Sequence, residues 1–452
     1  MKALYRPISI SSLVFFRICF GVLAFSDMLG SWIYKHLYKQ SFHPDQFQFR
    51  YYGFEWLPSF PEPWMSLFFL ASLAAAVGIT LGWRYRLCCT FYAFAFTYVF
   101  LLEKSYYLNH GYLFCVLSFL MIALPADRQG SIRAYRDPSY QWSKIPYWPI
   151  FLLQLSMGIV YFFGGIAKIN SDWLNGMPLK LWLKAKSDMF LLGPLWEQEW
   201  VAYFMSYGGL MLDLFAAPML AFRRTRIWFM IFVLFFHTTN LIIFKIGIFP
   251  FLSIALSLLF FPPDLPQRWL SALARRFKRL QAWLTRWPQS TATPSWRPSF
   301  ILPMLIMLYG LIHISLPLRH HYFPGDVAWT EEGHRYSWRM MLRSKRGYGR
   351  FKVVDKATGE TSFESPKDYL SKKQARKMFT HPDMILQFAH FLRDHYKTTK
   401  GMDVQVFAQI KARLNGRKYQ KYIDPTVDLA KEEWKYFEIS TWIIPFERTP
   451  YK

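Results

Sequence analysis

The sequence predicts a polytopic α-helical membrane bundle of about nine spans, followed by a C-terminal extracytoplasmic α+β domain that is rich in hairpins. Three observations predict this architecture. Apolar residues make up 53% of the chain and aromatic residues 20%. Apolar runs of about 17 to 22 residues, the length that crosses a bilayer, recur throughout residues 1–317. Over residues 318–452 alternating patterns and turn sequences replace them, which is typical of a soluble domain.

The apolar runs are interpreted as membrane spans in chain order, and the fourth and eighth are among the shortest. The first run contains Arg17 and Asp27 and lacks a small-residue cleavage pattern, so it predicts a retained span and no removable signal peptide. The nine predicted spans are residues 12–32, 64–83, 87–102, 111–125, 149–167, 202–222, 227–244, 247–261 and 300–316.

Basic residues occupy every second loop of this arrangement. Arg84 and Arg86 follow the second run, and Arg223, Arg224 and Arg226 follow the sixth. Because Lys and Arg are retained on the cytoplasmic side, the N-terminus is predicted inside and the C-terminal domain outside. These loops account for much of the formal net charge of +25. The charge therefore gives no reason to expect a nucleic-acid partner, since it sets topology and contacts anionic membrane lipid.

The predicted soluble domain is itself basic. Residues 318–452 contain 26 Lys and Arg residues against 16 Asp and Glu residues, a net charge of +10. Such a surface attracts an acidic peptide. It equally suits a solvated face that lies near anionic lipid.

Two hairpins and one interrupted helix are predicted within this domain. Residues 351–363 have turn-forming residues at their centre and predict the first hairpin. In the second, apolar residues alternate from Val404 to Leu414, up to the turn pair Asn415-Gly416. Between them, residues 371–395 show helical periodicity, which Pro382 is predicted to interrupt.

The first functional candidate is Lys168, which ends the fifth run in the segment YFFGGIAKINSDW. Removing an ammonium from bulk water penalises its charged form, so a lysine at this depth can act as a base. The alternative is a lysine that extends its ammonium to the lipid headgroups, as lysines at helix ends commonly do.

Three further polar residues share the predicted outer face with Lys168. His110 opens the fourth run, and His237 and Asn240 lie toward the end of the seventh. The histidines lack the spacing of a metal site, so no metal is predicted. The cysteines all lie in predicted spans and are interpreted as packing residues; they are Cys19, Cys88, Cys89 and Cys115.

Five segments together resemble the vitamin K-dependent γ-glutamyl carboxylases and their bacterial relatives. The membrane part is similar to the broader class of horizontally transferred transmembrane domains, and the SWRMM and IDP segments are similar to the carboxylases specifically. The resemblance extends from about residue 12 into the last twenty residues. The segments are LNHGYLF at 108–114, FGGIAKINSDWLNG at 163–176, FHTTNLIIFKIGIFPF at 236–251, FPGDVAWTEEGHRYSWRMMLRSK at 323–345 and YIDPTVDL at 422–429.

The resemblance implies a reaction. A glutamate γ-carbon proton is too weakly acidic for any side chain to remove, so a stronger base has to be made. In this family vitamin K hydroquinone is deprotonated and reacts with O2, and the strongly basic alkoxide that results takes the γ-proton. The carbanion then adds to CO2. A glutamate-containing protein or peptide becomes γ-carboxylated, the cofactor leaves as the 2,3-epoxide, and no metal, biotin or ATP takes part.

The resemblance also implies roles in the membrane domain. Lys168 matches the family lysine that deprotonates the hydroquinone, and His110 matches a histidine that hydrogen-bonds the cofactor or its oxyanion. Asn109 precedes it as in the family's Asn-His pair, with an ordinary helix N-cap as the alternative. His237 and Asn240 match a segment associated with the cofactor pocket, with an interhelical hydrogen bond as the alternative.

In the soluble domain the resemblance implies contacts with cofactor and glutamate. Met340 and Met341 are interpreted as cofactor contacts that exclude water. Tyr336 and Trp338 are interpreted as glutamate contacts, with a domain-core strand as the alternative for Trp338. The candidate carboxylate partners, for which the alternative is a solvated surface, are Arg343, Lys345, Arg376 and Arg417.

The chain also departs from the animal members of the family. They join their two domains by a disulfide that this chain cannot form, so noncovalent docking is expected. A short first cytoplasmic segment and no eukaryotic retention signal predict a bacterial inner membrane with the active face in the periplasm. Two other functions remain open: a quinone epoxidase with a non-carboxylase role, and a non-catalytic quinone- or lipid-binding membrane protein.

Overall fold

The computed structural model describes residues 2–34, 42–43, 46–190, 192–244, 246–285 and 296–451. Within these ranges, nine apolar helices correspond one to one with the nine predicted spans. Seven are long enough to cross a membrane, whereas α4 and α8 have only 15 and 10 residues. The helices are α1 Ser11–Leu29, α2 Trp64–Leu81, α3 Tyr85–Leu102, α4 Asn109–Ala123, α5 Trp148–Lys168, α6 Glu199–Ala221, α7 Arg226–Ile243, α8 Phe249–Leu258 and α9 Ile301–Leu318.

Short elements connect these helices. Strands Pro7–Ser9 and Lys144–Pro146 pair antiparallel, and their central residues, Ile8 and Ile145, join the bundle core. Two amphipathic helices, Leu265–Arg276 and Lys278–Thr285, follow α8. The remaining short α-helices are Ile132–Arg136, Ser171–Leu174, Leu179–Lys184, Gly193–Trp196 and Val327–Thr330.

The packing of α5 against α6 positions the functional part of the bundle. Leu153 and Val160 of α5 share one buried apolar cluster with Leu212 and Ala216 of α6. Near the end of α5 the two backbones approach closely, because a Cβ built at Gly165 lies 2.8 Å from the backbone nitrogen of Leu214. Only glycine fits such a position without displacing the neighbouring helix.

The soluble domain is built on one four-stranded antiparallel sheet. Its strands are β1 Lys345–Asp355, β2 Thr361–Glu364, β3 Val404–Leu414 and β4 Gln420–Lys421, in the order β2-β1-β3-β4. The structure confirms both predicted hairpins: Phe351 pairs with Glu364, and Ala412 pairs with Gln420. It also joins them, since β1 pairs with β3 from Lys345–Leu414 to Asp355–Val404.

The predicted interrupted helix is confirmed as two helices, α10 Lys372–Met378 and α11 Pro382–Lys400. Pro382 lies in the first turn of α11, where its missing N–H costs nothing. α11 packs on β3, and Ile385 and Phe388 join Phe351 and Val406 in a core separate from that of the membrane bundle.

The segment between α9 and β1 does not form the strand considered for Trp338. Residues 332–338 are turns, and Tyr336, Trp338 and Met341 have left-handed backbone angles, with φ of 65°, 56° and 56°. Trp338 is buried in the membrane-domain core and packs on Tyr112 of α4, with ring centroids 5.3 Å apart. The core-strand interpretation is therefore wrong. Residues 332–344 form a turn segment that packs the soluble domain against the bundle.

Candidate active site between the two domains

A cavity of about 660 Å³ lies where the bundle meets the soluble domain. The membrane helices contribute Lys168, Asp213, His237 and Asn240 to its walls, together with apolar rings. The turn segment and α10 contribute the opposite wall, which is rich in cationic side chains. A site divided in this way exists only when both domains are in place.

Lys168 forms an ion pair with Asp213 at the membrane end of this cavity. The Nζ atom lies 2.5 Å from Asp213 Oδ2, and the two side chains are only 6% and 8% exposed. The same amine donates to the carbonyl oxygen of Gly164 at 3.3 Å and lies 5.3 Å from the centre of the Trp173 ring. Lys168 is thus enclosed by protein, and the structure contradicts the interpretation that it extends to the headgroups.

The glycine preceding this lysine by one turn leaves room for the ion pair. A Cβ built at Gly164 lies 2.8 Å from Asp213 Oδ2, closer than real Cβ contacts. Because Gly164 and Lys168 are one turn apart, they share a helix face, and the carboxylate occupies the space over the glycine. The Gly-Gly pair therefore serves both helix packing, at Gly165, and the charged pair, at Gly164.

The rest of the segment after Lys168 ties the site to the soluble domain. Asn170 caps the short helix Ser171–Leu174 by accepting from the backbone of Trp173 at 3.0 Å. Asp172 accepts from both terminal nitrogens of Arg417 at 2.8 and 2.6 Å. Burial opposes ionisation of Asp172, but the hydrogen bonds from Arg417 and its neighbours outweigh it and hold the pKa of this carboxyl below its ordinary value.

His237 and His110 lie on the same cavity wall. His237 is buried, and its Nε2 is 3.1 Å from the hydroxyl of Tyr161, which realises the interhelical hydrogen bond considered for this residue. Its Nδ1 has no hydrogen-bond partner among the described residues. His110 lines the cavity with its ring 5.9 Å from that of Phe249. Asn240 also lines it, one turn beyond His237.

Asn109 connects the start of α4 to the turn segment. Leu108 occupies the N-cap position, so the N-cap interpretation of Asn109 is wrong. Its Nδ2 donates to the carbonyl oxygen of Arg339 at 3.3 Å, and its Oδ1 accepts from the hydroxyl of Tyr107 at 2.9 Å. That hydroxyl accepts in turn from the backbone of Tyr336 at 2.6 Å.

The cationic wall is organised by buried Glu331. This carboxylate accepts from Arg343 at 2.5 Å and lies 3.3 Å from Lys345 Nζ. Lys345 also donates to the hydroxyl of Tyr422 at 2.7 Å. Burial lowers the pKa of Lys345 to about 7, although Glu331 opposes the shift. Both cations face the cavity, as expected for carboxylate partners.

Comparison with known protein families matches both halves of this chain. A model of the HTTM domain matches residues 5–265. A model of the vitamin K-dependent gamma-carboxylase, lumenal domain, matches residues 299–449. The chain belongs to the vitamin K-dependent gamma-carboxylase family. No solved structure matches it.

The cavity of this family member fits the vitamin K that the family name implies. Its volume lies within the range of about 300 to 1,000 Å³ typical of small-molecule sites. Trp182, Phe236 and Phe244 provide flat apolar walls. The orphaned Nδ1 of His237 and the Lys168–Asp213 pair are polar groups suited to the hydroxyls of a hydroquinone.

The structure brings most of the predicted site residues of this gamma-carboxylase relative together. Four predicted substrate contacts are not among the described residues that line the cavity: Tyr336, Trp338, Arg376 and Arg417. The first two belong to the turn segment and pack on Tyr112 of α4, Arg376 is exposed, and Arg417 is paired with Asp172. The predicted residues that line it are Lys168, His110, Asn109, His237, Asn240, Met340, Met341, Arg343 and Lys345.

Asp213 was missed by sequence reasoning. Its signal was present, because an ionisable residue in the middle of an apolar span marks a functional position. Asp213 is such a residue in α6. What the sequence did not provide was its partner, which lies on another helix 45 positions earlier.

Proposed function

We propose that this protein is a vitamin K hydroquinone-dependent carboxylase that converts glutamate in a protein or peptide to γ-carboxyglutamate, with O2 and CO2 as co-substrates. The observation that carries the proposal is the buried Lys168–Asp213 pair at the membrane end of a cavity shared with a cationic wall. Vitamin K, when bound, supplies a strong base in the course of its oxygenation to the 2,3-epoxide.

Lys168 is proposed as the base that initiates the reaction. In a buried pair with 2.5 Å between Nζ and Oδ2, one proton is shared by two atoms. When that proton is on Asp213 Oδ2, the Nζ of Lys168 is a neutral amine and can take the proton of a hydroxyl in the cavity. The ammonium so formed then stabilises the oxyanion beside it. In this scheme Asp213 holds the proton that leaves the buried lysine neutral beforehand, and the oxyanion is the counter-charge of the ammonium that forms afterwards.

The other membrane residues are proposed to orient and enclose the cofactor. His110 would hydrogen-bond the cofactor oxygen, and Asn109 would hold the start of α4 against the turn segment. His237 has one ring nitrogen occupied by Tyr161 and one available. Asn240, Met340 and Met341 would complete the pocket, the methionines by excluding water.

On the soluble-domain side, Arg343 and Lys345 are proposed to attract the glutamate carboxylate to the cavity. Tyr336, Trp338 and Arg417 would act indirectly, by holding the turn segment and the soluble domain in position. Arg376 would act only as part of the basic surface that attracts an acidic peptide. The proposed setting is a bacterial inner membrane, with this domain in the periplasm.

The deciding experiment supplies membranes containing the protein with vitamin K hydroquinone, O2, bicarbonate and a glutamate-containing peptide. We expect the peptide to gain the mass of one carbon dioxide while the epoxide accumulates. Lys168→Ala should reduce both products to background, and a strong exogenous amine should partly restore both. Epoxide without carboxylated peptide, across several peptides, would favour the quinone epoxidase. Binding of the quinone without either product would favour the non-catalytic protein.

A further inference from the structure

Five cationic side chains of the soluble domain face the cavity: Arg335, Arg339, Arg343, Lys345 and Lys377. Two buried carboxylates account for three of them. Asp383 lies 2.7 Å from Arg335 and also 2.7 Å from Lys104 of the membrane domain, and Glu331 binds Arg343 and Lys345. Among the described residues that line the cavity the acidic one is Asp213, at the opposite end.

Arg339 and Lys377 are left without a carboxylate. Arg339 contacts His320, with 3.5 Å between Nη1 and Nε2, and Asp326 and Glu331 act on it only from beyond 4.0 Å. Among the described residues, the Nζ of Lys377 has neither a hydrogen bond within 3.5 Å nor an ion pair within 4.0 Å. Burial lowers the pKa of Arg339 to about 10 and that of Lys377 to about 8. The charge of Arg343 acts in the same direction on both, as expected when the three cations surround one part of the cavity.

Arg339 and Lys377 are half-buried, and cations that line a cavity without counter-charges attract an anion into it. The nearby carboxylates are saturated by other partners, so the anion has to come from a ligand. Two cations beyond those held by Glu331 match a ligand with two negative charges. A glutamate side chain has one, whereas the side chain produced by carboxylation has two carboxylates on one carbon.

We propose that Arg339 and Lys377 form a binding site for a geminal dicarboxylate, the malonate-type group of the carboxylated side chain. The inference rests on the proposed function for the identity of the ligand, and on the unmatched charges for its class. During the reaction these cations would stabilise the carboxylate that forms on addition of CO2. The planar guanidinium of Arg339 can donate two parallel hydrogen bonds to a carboxylate, and the ammonium of Lys377 supplies a compact positive charge.

The test measures equilibrium binding of radiolabelled malonate to the purified full-length protein without vitamin K, with acetate as the monoanion. We expect malonate to bind at least about tenfold more tightly than acetate, as expected for one additional charge-assisted contact. Arg339→Gln and Lys377→Gln should each weaken malonate binding by at least about tenfold and acetate binding less. Lys372→Gln is the matched control, because Lys372 is an exposed cation at the start of the same helix, α10, and should have little effect.

The wild-type protein gives an independent measurement. Because anion binding requires the protonated amine, malonate affinity should fall as the pH rises through about 8, the pKa of Lys377. Equal binding of malonate and acetate, no loss in either variant, an equal loss in Lys372→Gln, or a flat profile from pH 6 to 9 would each overturn the site. Malonate preference in a protein that never carboxylates would overturn the proposed function and leave the site intact.

Discussion

The lack of a side chain at Gly164 allows Lys168 to keep its ion pair with Asp213. The carboxylate of Asp213 lies over Gly164, at a place where any Cβ would meet its Oδ2 atom at 2.8 Å. The end of an aspartate side chain can move aside, so the fold should tolerate a methyl group there. The ion pair should not tolerate it, because Asp213 Oδ2 would have to move away from Lys168 Nζ, which lies only 2.5 Å from it.

We therefore expect Gly164→Ala to lower epoxide formation by about tenfold to hundredfold, the effect typical of misplacing a reacting group by an ångström. Gly158→Ala is the matched control on the same helix, since a Cβ there meets Ala217 Cβ at an ordinary 3.5 Å. Both variants are compared at equal membrane expression. Equal epoxide yields from the two would show that Asp213 need not be held where it is.

At this scale the sequence indicated candidate residues but not the contacts that they make. Lys168 and its flanking glycines were found because they form a local segment with a recognisable pattern. Arg417 was predicted to bind substrate, yet it binds Asp172, because pairing between residues 245 positions apart leaves no mark in either local sequence. Predicting such pairs requires the fold.

The start of α11 and the chain after α3 are joined by a buried polar cluster. Asp383 in the first turn of α11 accepts from Arg335 at 2.7 and 3.3 Å, and Lys104 lies at an ion-pair distance. Next to it Glu103 accepts from Gln374 of α10 at 2.8 Å. Despite its burial, the charges of Arg335 and Lys104 hold the pKa of Asp383 well below its ordinary value.

Removing this carboxylate should destabilise the docked state. We expect Asp383→Asn to cost about 3 to 5 kcal/mol, because two buried cations lose their partner. The depressed pKa means that wild-type stabilisation is complete above the ordinary aspartate pKa, so it should be flat from pH 7 to 5 and decline only below about 4. Thermal unfolding in detergent measures both effects.

Asp394→Asn is the control for this prediction. Asp394 lies on the same helix, but its side chain is 61% exposed and pairs with the adjacent Arg393. Its loss should change stability by less than about 1 kcal/mol. Similar shifts in the two variants would mean that α11 responds to any lost charge and that the cluster has no special role.

Elements were predictable where they depend on local patterns. Alternation and turn chemistry predicted both hairpins, and Pro382 predicted the break between α10 and α11. The pairing of β1 with β3 was not predicted, because it joins strands separated by two helices and depends on packing against α11. A core strand was considered for Trp338 because tryptophan is so often buried. The turn that forms instead was not predicted, because its left-handed residues, Tyr336, Trp338 and Met341, are types that rarely adopt that conformation.

The two domains are held together without a covalent link among the described residues, and all four cysteines are free. Docking depends on the polar cluster around Asp383 and on the Asp172–Arg417 pair, which lies four residues beyond Lys168. Noncovalent docking was expected from the sequence, and the structure shows which side chains provide it.

Weakening this contact between the domains should separate epoxide formation from glutamate carboxylation. We expect Arg417→Ala to raise the ratio of epoxide to carboxyglutamate by about tenfold or more, because Lys168 stays in the bundle while the glutamate loses its alignment. Trp338→Ala, which removes the packing of the turn segment on Tyr112 of α4, should act in the same direction. The ratio is measured at saturating hydroquinone. If both products fall in step, these residues support the membrane site itself.

Orientation is testable on the whole molecule. In a cysteine-free background, Lys400→Cys should react with a membrane-impermeant maleimide in intact cells, whereas Gln281→Cys should react only after permeabilisation. Both positions are exposed, and Lys400 is preferable to Gly401, whose φ of 67° disfavours other residues. The reverse pattern would place the soluble domain in the cytoplasm and refute the charge-based orientation.

The division of the cavity between two domains also bears on how such a protein can diversify. Under the proposed function, one wall holds the groups that would handle a lipid-soluble redox molecule, and the other holds the groups that would meet a peptide. Substitutions at Arg343, at Lys345 or in α10 should therefore change which acidic sequence is accepted without altering the cofactor-binding residues. A chimera can exchange the soluble domain while keeping partners for Asp172 and Lys104. It should take its peptide specificity from the donor of the soluble domain and its quinone specificity from the donor of the bundle.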